Sequence, residues 1–223
     1  MCFKLSLEMS DEEIELGITR QRLLDAAGEV FAEQGFRAAT VREICRRAEA
    51  NVAAVNYHFG DKERLYAEVL QHTHRYAMQN VPSAAVAGAT AEDRLRGFVF
   101  AMLSGLLTEG RPAWHAKLMM REMAEPTGML DRIVEDSIRP RFMMVKSIVQ
   151  DLLGGRGTDD ELRRCAWSIV GQCFFYRFGY PVLKRLHPPL KYEDAEIQKI
   201  ADHIASFSLC AIKEMAAKRK RQS

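Results

Sequence analysis

The chain has 223 residues, 48% hydrophobic and 28% charged, with 32 basic against 30 acidic side chains and a formal net charge of +2. That composition excludes a disordered chain, a collagen and a disulfide scaffold, and the length suits one large domain or two small ones. Phe98 to Leu107, the longest largely apolar stretch, contains Ser104 and Gly105 and is too short to span a bilayer, so no membrane segment is expected. The start, Met-Cys-Phe-Lys and then acidic residues, is not that of a signal peptide, and a cytoplasmic protein is expected. The five cysteines, at 2, 45, 165, 173 and 210, form no CxxC pair, so neither a zinc site nor a disulfide framework is suggested; no metal and no cofactor are expected. A near-neutral total neither demands nor excludes nucleic acid, so the distribution of charge must decide.

In chain order, residues 1–18 set Lys4 against Glu8, Asp11, Glu12, Glu13 and Glu15, net −4, and read as a flexible arm. Helical periodicity then runs almost throughout. Leu23, Ala26, Ala27, Val30 and Phe31 share one face of a first helix, which Gly35 stops. Thr40 opens a second helix, with Glu43 three residues on as a capping box; its buried face is Val41, Ile44, Cys45 and Ala48. Val52, Val55 and Phe59 repeat the pattern in a short third helix ended by Gly60. Asp61 caps a fourth, to about Asn80, with Leu65, Val69, Thr73 and Tyr76 inward.

A small-residue linker, Ser83 to Thr90, follows Val81-Pro82. Longer helices are expected at about 91–109, 112–124, 127–153, 159–178 and 193–218, punctuated by Pro112, Pro126, the Gly154 to Gly157 turn and the Pro181 to Pro189 stretch. No run alternates with period two. The expected class is all-α: an N-terminal three-helix domain at 19–66, after the arm, and a larger helical domain at 67–223. The basic end, Lys213, Lys218, Arg219, Lys220 and Arg221 against Glu214, suits a helix C-terminus.

Function concentrates in TVREICRRAEANVAAVNYHFGDK, Thr40 to Lys62. Two helices too short to stand alone, joined by a tight turn and packed on a longer one, make a helix-turn-helix. The second helix must present small or polar side chains so that its backbone can enter the major groove, and Val52, Ala53, Ala54 and Asn56 are such residues. Tyr57 and His58 can donate to phosphate oxygens, and Lys62 and Thr40 stand at helix starts, which favour an anion. Arg42, Arg46 and Arg47 add positive charge. On pattern alone the stretch reads equally as a piece of helical core, with Tyr57 and Phe59 as core aromatics and the arginines as a solvated face.

The same residues carry a family resemblance. Ile18, Leu23, Ala26, Ala27, Phe31 and Glu33-Gln34-Gly35-Phe36, then Thr40, Val41, Ile44 and Ala48, then Asn56-Tyr57-His58-Phe59, Asp61-Lys62-Glu63 and Leu65-Tyr66 resemble the DNA-binding signature of the TetR family of transcriptional regulators. The match covers about residues 18–70. It implies that Tyr57, Thr40 and Lys62 contact phosphates and that Arg42, Asn51, Val52, Ala53 and Asn56 face bases. The resemblance also implies that 19–66 is a helix-turn-helix DNA-binding domain and 67–223 a helical domain for effector binding and dimerisation, with a double-stranded DNA operator, a small-molecule effector and a second copy of the chain as partners. The turn departs from the family's Ala-Gly-Val: here it is Ala48-Glu49-Ala50. A positive φ at Glu49 would cost roughly 1–2 kcal/mol; the alternative is an ordinary helical conformation.

In the C-terminal two-thirds, residues 98–103, 114–123, 142–148 and 172–180 are rich in Phe, Met, Trp and Tyr, which suits an adaptable apolar pocket as well as plain core filling. With their embedded polar groups, Phe98, Met102, His115, Met119, Met143, Gln172 and Tyr176 form the candidate effector site. Trp114 to Pro126 (WHAKLMMREMAEP) and Gly171 to Pro181 (GQCFFYRFGYP) resemble the CecR-like branch of the family, associated with efflux and antibiotic sensitivity, which implies an amphipathic or aromatic drug-like effector. The last two long helices are the expected dimer seam, through Ala166, Ile169, Val170, Ile204, Phe207, Ser208 and Ala211.

No GxSxG, P-loop, HExxH or GxGxxG occurs. His115 and Glu122, seven residues apart on one helical face, are too distant for a hydrogen-bonded dyad, so no enzyme is expected. Cys165 and Cys173, eight apart on a helix, are beyond disulfide reach. The expected function is a repressor released from its operator by an apolar or amphipathic effector. The alternative is a helix-turn-helix regulator with no small effector, controlled by a protein partner or by abundance.

Overall fold

The computed structural model describes residues 11–78, 90–108 and 112–222. Residues 1–10 of the acidic arm and residues 83–89 of the linker lie outside the described residues. The elements are α1 (Asp11–Ala38), α2 (Val41–Ala48), α3 (Val52–Phe59), α4 (Lys62–Met78), α5 (Ala91–Leu107), α6 (Ala113–Ala124), α7 (Met129–Ile133), a π-helical turn (Val134–Ile138), α8 (Arg139–Leu152), α9 (Asp159–Phe178), α10 (Tyr180–Leu186) and α11 (Asp194–Gln222). The fold is all-α, with no strand among the described residues, and no helix among them is long and apolar enough to cross a membrane.

Two compact units result, and they are not consecutive in sequence. The first joins the chain up to Thr73 to residues 112–133; the second takes residues 74–111 and 134–223. The first unit's core comes from α1 (Leu23, Ala27, Val30, Phe31), α2 (Ile44, Ala48), α3 (Val55, Phe59), α4 (Leu65, Val69, Leu70) and, from far along the chain, Trp114 and Leu118 of α6. Each sits at the three-to-four-residue spacing that puts it on one helical face. Fully burying one such aliphatic or aromatic side chain contributes about 1.5–3 kcal/mol. In the second unit α5, α8, α9 and α11 enclose Leu95, Val99, Val145, Ile148, Leu162, Ile169, Ile197 and Ile204. Lys213 pairs with Glu92 at 2.7 Å and Arg96 with Asp202 at 4.0 Å, so α5 and α11 run antiparallel.

Several local expectations are revised. Helix α1 begins at Asp11, so residues 11–18 of the expected arm are helical, with Ile14, Leu16 and Ile18 exposed. The expected helix over 127–153 is broken by the π-turn, because Pro140 has no N–H to donate into the ladder. The Pro181 to Pro189 stretch is not all loop: Pro181 enters the first turn of α10, where its missing N–H costs nothing. Thr40 accepts from the Glu43 amide at 3.2 Å, but Glu43's carboxylate turns to Arg46 and Arg47, so only half of the expected capping box forms.

Glu49 adopts the left-handed conformation, φ 50° and ψ 45°. The Glu49 amide donates to Arg46 O and the Ala50 amide to Cys45 O. This is the helix-ending arrangement in which glycine is favoured, and α8 ends in the same way with Gly154 at φ 66°. The carboxylate's exposed pair with Arg22, 3.1 Å, offsets little of the strain. Glu49→Gly is therefore expected to raise stability by up to about 1 kcal/mol, read as a higher denaturant midpoint at unchanged slope. A lower midpoint would show that the pair with Arg22 outweighs the strain.

Candidate nucleic-acid interface

Helix α3 presents a surface that follows from its sequence. Val55 and Phe59, four apart, are buried, which turns Val52, Ala53, Asn56 and Tyr57 outward. Val52, expected in the buried series, is 43% exposed, and Tyr57 is 73% exposed. The outer face of α3 is therefore small and polar at its start, with a phenol projecting nearer its end.

The groups around it differ in their freedom. Thr40 is an exposed N-cap. Asn51 caps α3, its Oδ1 accepting from the Ala53 amide at 3.0 Å, which leaves its side-chain NH₂ to donate elsewhere. Arg42 is exposed and has no acidic partner among the described residues. Arg46 and Arg47 are committed: Glu43 takes both, and Arg47 also reaches Glu33 at 2.6 Å. Hydrogen bonds from Arg46 and then Arg47 hold the Glu43 carboxyl at about 2, well below its usual range. Of the three arginines on α2, only Arg42 therefore offers an uncompensated charge.

His58 is half-buried between Tyr57 and Phe59, and burial, then the nearby Arg20, lowers its pKa, so it is a neutral imidazole at neutral pH. Lys62 departs most from its sequence-based role. Its Nζ donates to Phe36 O at 3.0 Å and Ala39 O at 3.1 Å and lies 4.6 Å from the centre of the Phe36 ring. One of its three N–H bonds remains for a phosphate.

Sequence reading missed a second layer beneath this surface. Tyr66 of α4 packs edge-on against Phe31, ring centres 4.8 Å apart, and its hydroxyl donates to Glu122 Oε2 at 2.5 Å. Glu122 is buried and also accepts from the Thr127 amide and hydroxyl. Burial and then the Glu122 carboxylate raise the Tyr66 pKa, so the phenol stays a donor. Arg121 donates to Glu33 O and Gln34 O. Partners 56 and 87 residues apart leave no periodic signal, and the only hint was that WHAKLMMREMAEP was notable as a stretch.

The candidate effector residues divide between the units. His115 and Met119 belong to the first, where His115 is buried against Trp114, ring centres 4.1 Å apart. Phe98, Met102, Met143, Gln172 and Tyr176 belong to the second. Phe98 is buried in that unit's core, Met102 and Tyr176 pack against it, and Met143 is exposed. Gln172 and Tyr176 meet in a depression of about 370 Å³ that is also lined by Gly171, Phe175, His203 and Ile204.

Known proteins match the chain in two stretches, the second of which runs through residues of both units. Residues 23–69 match the model of the bacterial regulatory proteins of the tetR family, and residues 91–212 match that of the C-terminal domain of the HTH-type transcriptional dual regulator CecR. The chain is 33% identical over 209 residues to the HTH-type transcriptional repressor NicS of Pseudomonas putida, covering 87% of this chain and 91% of that protein. It is 25% identical over 175 residues to CecR of Shigella flexneri, covering 72% and 76% respectively. Among solved structures, AibR in complex with isovaleryl coenzyme A and operator DNA has a similar fold, with a TM-score of 0.63 at 17% identity, over 85% of this chain and 97% of that one.

Proposed function

We propose a function from one premise, that the chain belongs to the TetR family of bacterial transcriptional regulators, with a C-terminal domain of the CecR type: it represses transcription from a specific operator and is released by a small apolar or amphipathic effector. The observation that carries the DNA half is the outer face of α3, where Val52, Ala53, Asn56 and Tyr57 stand exposed on a helix anchored from behind by Val55 and Phe59. With Asn51 at its start and, on the preceding helix, Arg42, which has no acidic partner among the described residues, that face has the small and polar character a major-groove reader needs. Thr40, Tyr57 and the remaining N–H of Lys62 are assigned to phosphates, and His58, half-buried, to a supporting position.

The active species is proposed to be a homodimer. Of the expected seam residues, Ala166, Ile169, Ile204 and Ser208 are buried within the chain's own second core, so they do not supply the contact; Phe207 and Ala211 are exposed. The same two helices also carry large exposed apolar side chains, Trp167 and Phe175 on α9 and, from the expected seam, Phe207 on α11, each more than half exposed. Exposed apolar groups of this size mark interaction surfaces when they cluster, and a second copy related by a two-fold axis is proposed to cover them. Selection from random duplex DNA tests function and assembly together. Enrichment of two inverted half-sites about 34–36 Å or a multiple apart is the expected result; no enrichment would overturn the DNA-binding reading, and one unrepeated motif would overturn the dimer.

Effector recognition is placed in the second unit, around Phe98, Met102, Met143, Gln172 and Tyr176. AibR was solved with isovaleryl coenzyme A, so acyl-coenzyme A compounds and amphipathic drugs are the probes to try. A ligand at a hundred times its Kd stabilises the native state by about 2.7 kcal/mol, which thermal unfolding detects. A panel with no shift would favour a regulator controlled without a small effector.

A further inference from the structure

The segment that leaves α1 and delivers Thr40 to the start of α2 is held by cations that lie outside it. Gly35 kinks the helix at φ 80° and ψ 165°, with its own carbonyl accepting from the Ala39 amide at 3.1 Å. Arg121 donates from Nη1 to Glu33 O at 3.3 Å and from Nη2 to Gln34 O at 3.2 Å. Its side chain lies so close over Gly35 that a Cβ there would be 2.5 Å from Nε. Just beyond, Lys62 takes Phe36 O and Ala39 O. The neighbouring Glu122 grips α4 through Tyr66 and ties its own helix end to Thr127.

We propose that Arg121 and Glu122 are positioning residues for DNA binding. Arg121 clamps the part of α1 that runs into the kink at Gly35, Glu122 fixes α4 at Tyr66, and together they set where Thr40 and α2 stand relative to the start of α4 at Lys62. Neither residue touches DNA. They act through the carbonyls and the phenol, so the reading head is completed by one residue 87 positions along the chain from Gln34 and by another 56 positions from Tyr66. A helix-turn-helix must meet the groove and the flanking phosphates at once, and the connection they secure is otherwise free to change its φ and ψ at a glycine. The proposal rests on the DNA-binding reading, and its test separates the two.

The experiment uses the full chain, the duplex recovered by selection, and Arg121→Met, Arg121→Lys and Glu122→Gln. The active fraction of each protein is first fixed by stoichiometric titration, so that partial unfolding does not pass for weak binding. Arg121→Met is expected to raise Kd about tenfold, the scale of one charge-assisted hydrogen bond, with an unchanged salt slope because no phosphate contact is lost. Arg121→Lys should recover most of the affinity, since an ammonium can hold a carbonyl as Lys62 does. Amide hydrogen exchange over residues 35–40 should quicken in Arg121→Met while that of residues 23–31 does not. Unchanged Kd in Arg121→Met on a duplex the wild type binds would overturn the proposal, as would unchanged exchange over 35–40. A wild type that selects no DNA would overturn the DNA-binding reading and with it the positioning role, even if the exchange result showed that the clamp itself exists. Should Arg121→Met not fold, Arg121→Lys and Glu122→Gln carry the same comparison through a smaller rise in Kd at unchanged slope, and no rise in either would overturn the proposal.

Discussion

Gly28→Ala will unfold at a lower temperature than the wild type, whereas Gly17→Ala on the same helix will not. Alanine normally stabilises a helix interior relative to glycine by about 1 kcal/mol. Nothing lies within 4 Å of a Cβ at Gly17, so that gain is expected there in full. At Gly28 a Cβ would sit 2.4 to 2.5 Å from three ring carbons of Trp114. The indole must move, and Trp114 is itself buried, with His115 against its ring. Overpacking of this kind costs about 1–3 kcal/mol, and here it opposes the propensity gain. At about 2–4 °C per kcal/mol for a chain of this size, the net loss is measurable by calorimetry. Combining Gly28→Ala with Trp114→Phe should recover part of the loss, because the smaller ring vacates the contested space. A Gly28→Ala protein as stable as Gly17→Ala would mean that α6 does not seat on α1 through that notch.

Arg42→Ala and Asn56→Ala will each weaken binding to the selected duplex by about 1–3 kcal/mol and relax its preference at one position. Both residues are exposed and neither has an acidic partner among the described residues, so removing them leaves the folded head unstrained. Tyr57→Phe should weaken binding to all sequences alike, through a lost phosphate contact, without changing the salt slope. Lys62→Ala should behave differently from a plain phosphate contact. It orphans Phe36 O and Ala39 O, so thermal stability should fall together with affinity. Arg46→Ala should have little effect on the salt slope, because Glu43 already neutralises that arginine within the helix. If Asn56→Ala leaves both affinity and preference unchanged, α3 is not the helix that reads the groove.

The sequence by itself determined the elements and their inner faces. Leu23, Ala27, Val30 and Phe31 recur at helical spacing, Gly35 kinks α1 and Gly60 ends α3, each at positive φ, and Val55 and Phe59 anchor α3 from behind. Such features depend on neighbours three or four residues away, so they are written locally. The Asn56-Tyr57-His58-Phe59 run likewise marked α3 as the proposed reading helix, because such a role needs particular residues at consecutive positions on one short element.

Only the tertiary structure decided which charges are free and which segments belong together. Arg42, Arg46 and Arg47 look alike in sequence, yet Glu33 and Glu43 bind two of them and leave the third. Lys62 reads as a free cation in the sequence, yet Phe36 O and Ala39 O take two of its three N–H bonds. Residues 112–133 read as part of the C-terminal domain, yet Trp114, Leu118 and Glu122 complete the N-terminal core. The physical reason is the same in each case. A side chain's available charge and a segment's place in a core are set by what lies within a few ångströms in space, and a local pattern carries no record of partners 56 or 87 residues away.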